Sequence, residues 1–432
     1  MTQLIFSTSG KFSGVYTPPG DKSISHRALL FGALAEGQSQ YENFLEAEDC
    51  LHTLGALQAM GVQIEHQKGK GKISVAGRGL SSLQAPAKEL YLGNSGTSMR
   101  LLLGILAGQR FEVILTGDAS LTSRPMRRVT DPLKRMGAQI KGRENGNFAP
   151  LSIRGGKLKA IDFDNKLSSA QVKSALLFAG MYAEGQTIVR EKIPSRDHTE
   201  RFLSAAGAKF KKETNGTLFI EKTETLRPFR MKVPGDISSA AFFIVGAAMI
   251  PGSEVVIKDV GLNPTRTGVL EVLKRMGAGI EIHVTQEVPE PMGEIIIRGK
   301  KLTGTGVTHE EIPSLIDELP VLMVAMALAE GESLISGAAE LRVKETDRIH
   351  SMVKNLKIVG ASIEELPDGC LIKGVKEFQG GTVESLGDHR TAMSLAVASL
   401  ASRGPITVKD TECIATSYPS FDQHFKQLFK TA

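Results

Sequence analysis

Cations stand in this sequence where helices should repel them. Gly20-Asp-Lys-Ser-Ile-Ser-His-Arg27 opens an apolar run with Lys22 and Ser23, and Arg27 follows one turn later. Asp388-His-Arg390 opens another apolar run with Arg390. The N-terminus of a helix carries a positive partial charge, so a cation there costs about 0.3–1 kcal/mol at an exposed site. The arrangement is accounted for if an anion occupies the gap, because free first-turn amides together with Lys or Arg make a phosphate site. The alternative is a pair of solvated cations held by Asp21 and Asp388. Two matched instances, on helices otherwise apolar, weigh against it.

Three further segments carry chemistry. Leu92-Gly-Asn-Ser-Gly-Thr-Ser-Met-Arg100 has the small and hydroxylic residues that let backbone amides close on an oxyanion, although Ser and Thr also serve as ordinary caps. Ser120 to Arg128 is a Ser/Thr-rich loop ending in basic residues, and Leu341 to Ile349 packs Arg342, Lys344, Glu345, Asp347 and Arg348 between a strand-like and a helical segment. Asp317 and Glu318 lie at the mouth of the most apolar helix, where dipole preference alone would favour a carboxylate. Standard nucleotide loops are absent, since neither G-x-x-x-x-G-K-[ST] nor G-x-G-x-x-G occurs, and H-E-x-x-H and G-x-S-x-G are also missing. Cys50, Cys370 and Cys413 are too far apart for a zinc site or a disulfide framework.

These segments need a scaffold, and the sequence repeats one. Six apolar runs end in glycines at 37, 108, 185, 252, 331 and 404, spaced 67 to 79 residues apart. Amphipathic helices interleave with them and end in glycines at 61, 137, 207, 277 and 360, placed for left-handed helix C-caps. A period near 70 residues is too long for a solenoid and long enough for a small α/β subdomain. The apolar helices should be buried and the amphipathic ones should lie outside. Pro18-Pro-Gly-Asp21 and Val233-Pro-Gly-Asp236 repeat one turn signal, which divides the chain into three units plus three: 19–234 as one domain, and 1–18 with 235–432 as the other. With 432 residues, 41% hydrophobic and 23% charged, the chain is globular. Its net charge is +5 without a basic block, which excludes a nucleic-acid binder as the first expectation. No apolar stretch reaches the ~18–20 residues a membrane span needs, and the start shows no secretory signal, so the expected compartment is the cytoplasm.

Taken together and in this order, Gly20–Arg27, Leu92–Arg100, Ser123-Arg-Pro-Met126, Arg342–Arg348 and Asp388–Arg390 resemble the 5-enolpyruvylshikimate 3-phosphate synthase family across the whole chain. The resemblance implies two domains, each of three βαβαββ units with buried parallel helices, and an active site in the cleft between them. It implies transfer of the enolpyruvyl group of phosphoenolpyruvate to the 5-hydroxyl of shikimate 3-phosphate by addition and elimination, with no metal or organic cofactor, in a monomer without nucleic-acid or membrane partners. Lys22 is then expected to touch both substrates. Ser23, Arg27, Ser169, Gln171 and Arg196 would hold shikimate 3-phosphate, with Gln171 also reaching the enolpyruvyl group. Asn94, Gly96, Arg124, Arg348 and Arg390 would bind phosphoenolpyruvate. Lys344 and Asp317 would line the shikimate hydroxyls, with Asp317 as base for the 5-hydroxyl and Glu345 exchanging the proton at the methylene.

Two positions depart from the common pattern. Ala170 precedes Gln171 where many members have serine, and Thr416 stands where many have lysine. Both resemble the divergent class that is often glyphosate-tolerant. The sister family, UDP-N-acetylglucosamine enolpyruvyltransferase, carries a reactive cysteine near the position of Arg124. The loop here is Leu121-Thr-Ser-Arg124, and no cysteine lies between Cys50 and Cys370. A non-catalytic anion-binding protein of the same fold is a third reading, opposed by the complete set Asp317, Lys344 and Glu345.

Overall fold

The computed structural model describes residues 2–6 and 9–431. Residues Lys22–Val233 form one compact unit; the chain up to Asp21 and from Pro234 onward forms the other. The first unit contains helices α1 (Lys22–Leu34), α2 (Glu48–Ala59), α3 (Gly96–Leu106), α4 (Arg127–Met136), α5 (Ala170–Gly180) and α6 (His198–Ala206). The second contains α7 (Ile237–Met249), α8 (Gly268–Arg275), α9 (Leu319–Leu328), α10 (Arg348–Ile358), α11 (His389–Ala398) and α12 (Phe421–Leu428).

Odd-numbered helices are the apolar ones and they are buried. Every residue of α7 is buried, as is all of α9 up to Ala327. A helix apolar all round has no face to offer water, so it must be enclosed on every side. Even-numbered helices up to α10 bury one face, and the glycines that follow them, at 61, 137, 207, 277 and 360, all have positive φ. Each unit has its own apolar core, one running from Ile24 to Val233 and the other from Phe6 to Leu428 by way of α7, α9 and α11.

The sheets follow one plan. The strand before a buried helix pairs in parallel with the strand after it, and a following hairpin adds two antiparallel strands. Leu90–Tyr91, Glu112–Thr116, Phe148–Arg154 and Gln139–Gly142 lie in that order around α3. Asp162–Asp164, Gln186–Arg190, Leu218–Glu221 and Phe210–Lys212 do the same around α5. Two of the parallel first strands come from distant sequence. Arg230–Lys232 pairs with Glu36–Glu42 after α1, and Gly10–Tyr16 pairs with Glu254–Gly261 after α7. The sixth repeat departs from βαβαββ. After Ile406–Lys409 the chain makes a 3-10 turn, Thr411–Thr416, and α12 in place of a hairpin, and Gln3–Phe6 takes the antiparallel position.

Both Pro-Gly-Asp turns lie in the second unit and are tied to each other. The Asp21 amide donates to Pro234 O at 2.8 Å, and the Asp236 amide donates to Pro19 O at 2.8 Å. Their carboxylates meet on one buried guanidinium: Arg266 donates to Asp21 at 3.0 Å, to Asp236 at 3.3 Å and to Ser238 Oγ at 2.7 Å. No helix among the described residues is long and apolar enough to cross a membrane, and no group of His, Cys, Asp or Glu among them could hold a metal ion.

Close approach of α3 to α5 depends on Gly104, where an added Cβ would lie 2.3 Å from the Ala175 carbonyl oxygen. Backbone cannot yield as a side-chain tip can, so Gly104→Ala should destabilise by about 1–3 kcal/mol, the usual cost of overpacking. Gly55, inside α2, has nothing within 4 Å of its added Cβ. Gly55→Ala should be neutral or stabilise by up to about 1 kcal/mol, the propensity difference between the two residues. Urea unfolding of both variants checks the contrast, and equal shifts would contradict the packing described.

Candidate active site

In the first unit the expected residues gather at the first turns of α1, α3 and α5. Lys22 begins α1, and its ammonium lies 2.9 Å from Asp49 in the first turn of α2. Arg27, one turn on and buried, donates to Thr199 Oγ1 of α6 and Ser174 Oγ of α5, each at 2.8 Å, and to Ser23 O at 2.9 Å. It therefore joins three helices while its neighbour Ser23 remains half-buried at the helix mouth.

The start of α3 is held by side chains. Ser95 caps it, accepting from the Ser98 amide at 3.1 Å. Asn94 donates to Asp118 at 2.7 Å, and its Oδ1 accepts a short bond from Arg124, which also donates to Ser120 Oγ at 3.0 Å. Gly96 lies beneath two guanidiniums: an added Cβ would be 2.7 Å from Arg100 Nη1 and 3.3 Å from Arg124 Nη1. Arg100 donates to Gln171 Oε1 at 2.7 Å, and Gln171 Nε2 donates to Thr97 Oγ1 at 2.9 Å. This chain links the first turns of α3 and α5 and brings Asn94, Gly96, Arg124 and Gln171 together. Ser169 caps α5, accepting from the Val172 amide at 3.5 Å, and Arg196 lies half-buried in the loop before α6.

The second unit has a different electrostatic character. Arg348, the first residue of α10, is buried with all three guanidinium nitrogens on carboxylates: Asp388 at 2.7 Å, Asp317 at 3.1 Å and Glu345 at 2.6 Å. Burial works against its charge, but the three acids outweigh it and hold Arg348 protonated. Asp388 is fully buried and also caps α11, accepting from the amides of Arg390 and Thr391. Asp317 and Glu345 keep 20% and 17% side-chain exposure, so they are the members of the cluster with open edges. Lys344 is pushed below the ordinary lysine range by burial, with Asp317 the strongest influence in the other direction. Arg390 donates to Ser238 O at 3.1 Å, with its guanidinium 5.9 Å from the Phe242 ring centre.

Of the residues expected on phosphoenolpyruvate, Arg348 is the one bound to three carboxylates. Its nitrogens orient Asp317 and Glu345, and each terminal nitrogen keeps a second N–H. Thr416 donates to Cys413 O at 2.7 Å and lies 3.4 Å from His389 Nδ1. Burial raises the Cys370 thiol to about 12 and the Cys413 thiol to about 11, so neither supplies a thiolate at neutral pH. Arg100, Asp49 and Asp388 were given no role from the sequence. Arg100 had a readable signal, a cation one turn inside an otherwise apolar helix. Asp49, in an amphipathic helix 27 residues from its partner, had none.

Comparison with known proteins agrees in extent and in name. The EPSP synthase (3-phosphoshikimate 1-carboxyvinyltransferase) family matches residues 7–425. Proteins called 3-phosphoshikimate 1-carboxyvinyltransferase from Alkaliphilus metalliredigens and Desulforamulus reducens are 50% and 51% identical, the first covering 99% of this chain and 100% of its own, the second 99% of each. The solved EPSP synthase of Acinetobacter baumannii superposes with a TM-score of 0.87 at 47% identity, covering 99% of this chain and 98% of that one. The enolpyruvyl transferase NikO of Streptomyces tendae shares the fold, with a TM-score of 0.80 at 17% identity over 100% of this chain and 99% of its own. This chain belongs to the EPSP synthase family.

Proposed function

We propose that the chain moves the carboxyvinyl group of phosphoenolpyruvate to the 5-hydroxyl of shikimate 3-phosphate and releases inorganic phosphate. The observation that carries this is the pair of partly open carboxylates, Asp317 and Glu345, held by one buried guanidinium beside a lysine of lowered pKa. Two carboxylates fixed against each other with separate open edges suit two proton transfers on one reacting centre. Both substrates are polyanions, which gives the cations at buried helix starts their purpose.

In the addition step the 5-oxygen bonds to C2 of phosphoenolpyruvate while its proton goes to Asp317, and C3 takes a proton from Glu345. In the elimination step C3 returns that proton, the C2–C3 double bond re-forms, and phosphate leaves with the bridging oxygen. Lys22 meets both substrates, and Asp49 orients it. Ser23, Arg27, Ser169, Gln171 and Arg196 bind shikimate 3-phosphate, and Gln171 also approaches the enolpyruvyl group. Lys344 and Asp317 line the shikimate hydroxyls. Asn94, Gly96, Arg124, Arg348 and Arg390 take phosphoenolpyruvate, Arg348 through the N–H groups its carboxylates leave. This reading also takes the chain as a cytoplasmic monomer with no nucleic-acid or membrane partner, in keeping with a modest net charge of +5 and no basic block. Its reaction step in the shikimate pathway leads toward chorismate and the aromatic amino acids.

A phosphate-release assay with the two substrates tests the activity; no release by folded protein would overturn it. The carboxylates should then separate by variant. Glu345→Ala should lower kcat by roughly 10²–10⁴-fold with a much smaller change in KM, because it acts on proton transfer. Asp317→Ala should lose kcat and also weaken shikimate 3-phosphate binding by about 1.5–3 kcal/mol, the worth of a charged hydrogen bond. Calorimetric affinities that fall for Glu345→Ala and hold for Asp317→Ala would reverse the two roles.

Lys344 gives a pH test. Its pKa is lowered, so it loses its proton, and its attraction for an anion, at a pH where an ordinary lysine is still charged. The kcat/KM for shikimate 3-phosphate should therefore fall on the alkaline side as pH rises through that lowered value. In Lys344→Arg, which stays charged, the fall should move to higher pH. An unchanged profile would mean that another group titrates there.

A further inference from the structure

Lys173 has no part in the chemistry above, yet it is among the most enclosed charges in the protein. It lies one turn into α5 with 2% side-chain exposure, between Glu191 at 2.9 Å and Glu200 of α6 at 2.7 Å, and it also donates to Ser195 O at 3.2 Å. Apolar residues of similar volume in place of the whole cluster would cost no desolvation, and buried ion pairs give little net stability. Stability therefore leaves the cluster as a whole unexplained.

Its partner Glu191 shows what the cluster holds. One carboxylate, 5% exposed, accepts from the Ser195 amide at 2.9 Å, Ser195 Oγ at 2.6 Å, Asn165 Nδ2 at 2.6 Å and Lys173. Asn165 in turn donates to Ser169 O at 3.0 Å and accepts from the Ser169 amide at 3.4 Å. Two short segments are tied to this carboxylate. One is the turn that caps α5 and presents Ser169 and Gln171; the other is the loop that presents Arg196 directly after Ser195. Arg27 binds the neighbouring residues Ser174 and Thr199, so the same pair of helices is fastened at a second level. Burial opposes the charge on Lys173, but Glu200 and Glu191 outweigh it and keep the ammonium protonated.

We propose that Lys173, acting through Glu191, is a positioning residue for shikimate 3-phosphate: it sets the Arg196 loop against the Ser169–Gln171 turn. This rests on the reading that Ser169, Gln171 and Arg196 bind that substrate. Phosphoenolpyruvate is read mainly by the start of α3, the Arg124 loop and Arg390, and the cluster meets that side only through Gln171, so its KM should respond less.

The experiment compares kcat, both KM values and thermal midpoints for Lys173→Met, Lys173→Arg, Ser195→Ala and Glu191→Gln, with Arg196→Ala as reference. Lys173→Met should raise KM for shikimate 3-phosphate by about tenfold or more and KM for phosphoenolpyruvate by less than about twofold, the pattern of one misplaced binding segment. Lys173→Arg should recover most of the loss, and Ser195→Ala should show a smaller rise with little change in midpoint. A lowered midpoint with both KM values unchanged, or an equal rise in both, would overturn the proposal. If Lys173→Met does not fold, Ser195→Ala and Glu191→Gln decide, and an unaltered shikimate 3-phosphate KM in both overturns it. Should Arg196→Ala weaken that substrate while the other variants do not, only the positioning role is lost. Should Arg196→Ala also leave its KM unchanged, the binding assignment fails and the positioning role with it.

Discussion

A helix buried on all sides has a positive pole that must meet something, and here that requirement recurs in both units. The starts of α3 and α5 meet through Arg100 and Gln171; those of α7, α9 and α11 meet through Ser238, which bonds Glu318 and receives Arg390 on its carbonyl. Each meeting place adds cations to helix poles that are already positive. Without compensation that would destabilise the fold. The two units answer differently. On the proposed function, the first leaves much of its compensation to an incoming anion, with neutral amides and hydroxyls around Arg100 and Arg124. The second carries its own carboxylates, three of them on Arg348.

That difference divides the labour between the units. A site made of cations and neutral donors binds anions and does little proton chemistry. One in which carboxylates outnumber the arginine they share has proton carriers held in place, and Arg348 orients Asp317 and Glu345. Asp388 completes the arrangement from the interior, where removing it would leave the guanidinium partly unpaired. Truncating one partner of such a buried set costs about 3–5 kcal/mol. Asp388 is thus a poor position for probing mechanism, while Asp317 and Glu345, at the cluster's open edges, are good ones.

Much of this was legible in the sequence, for a definable reason. Apolar runs without an amphipathic stripe can only be buried helices, and glycines at fixed offsets mark their ends, so the repeat and the two helix classes read directly from residue type. Cations at helix starts were visible because they break a local rule, and such breaks concentrate at functional sites. In the sixth repeat Gln3–Phe6 takes the antiparallel position from some 400 residues away, and strand pairing at that separation leaves no local trace. The sequence displays the charge of Arg348 but not its three acidic partners, Asp317, Glu345 and Asp388, which the fold brings together.

The same limit applies to Lys173 and Arg266. Each is a charge in an apolar or loop context that sequence reading passes over as unremarkable, and each joins acids from distant segments: Glu191 and Glu200 in one case, Asp21 and Asp236 in the other. Neither cluster adds the stability that an apolar replacement could. What each provides is geometry, since a guanidinium or ammonium with two or three fixed acceptors admits few arrangements of the segments that carry them. Tolerances in such a site are tighter than packing alone would enforce, because apolar contacts accept small slides and short charged hydrogen bonds do not. For the two polyanionic substrates of the proposed function, this kind of rigidity fixes where each charged group must lie, a role for the buried charge that stability does not supply.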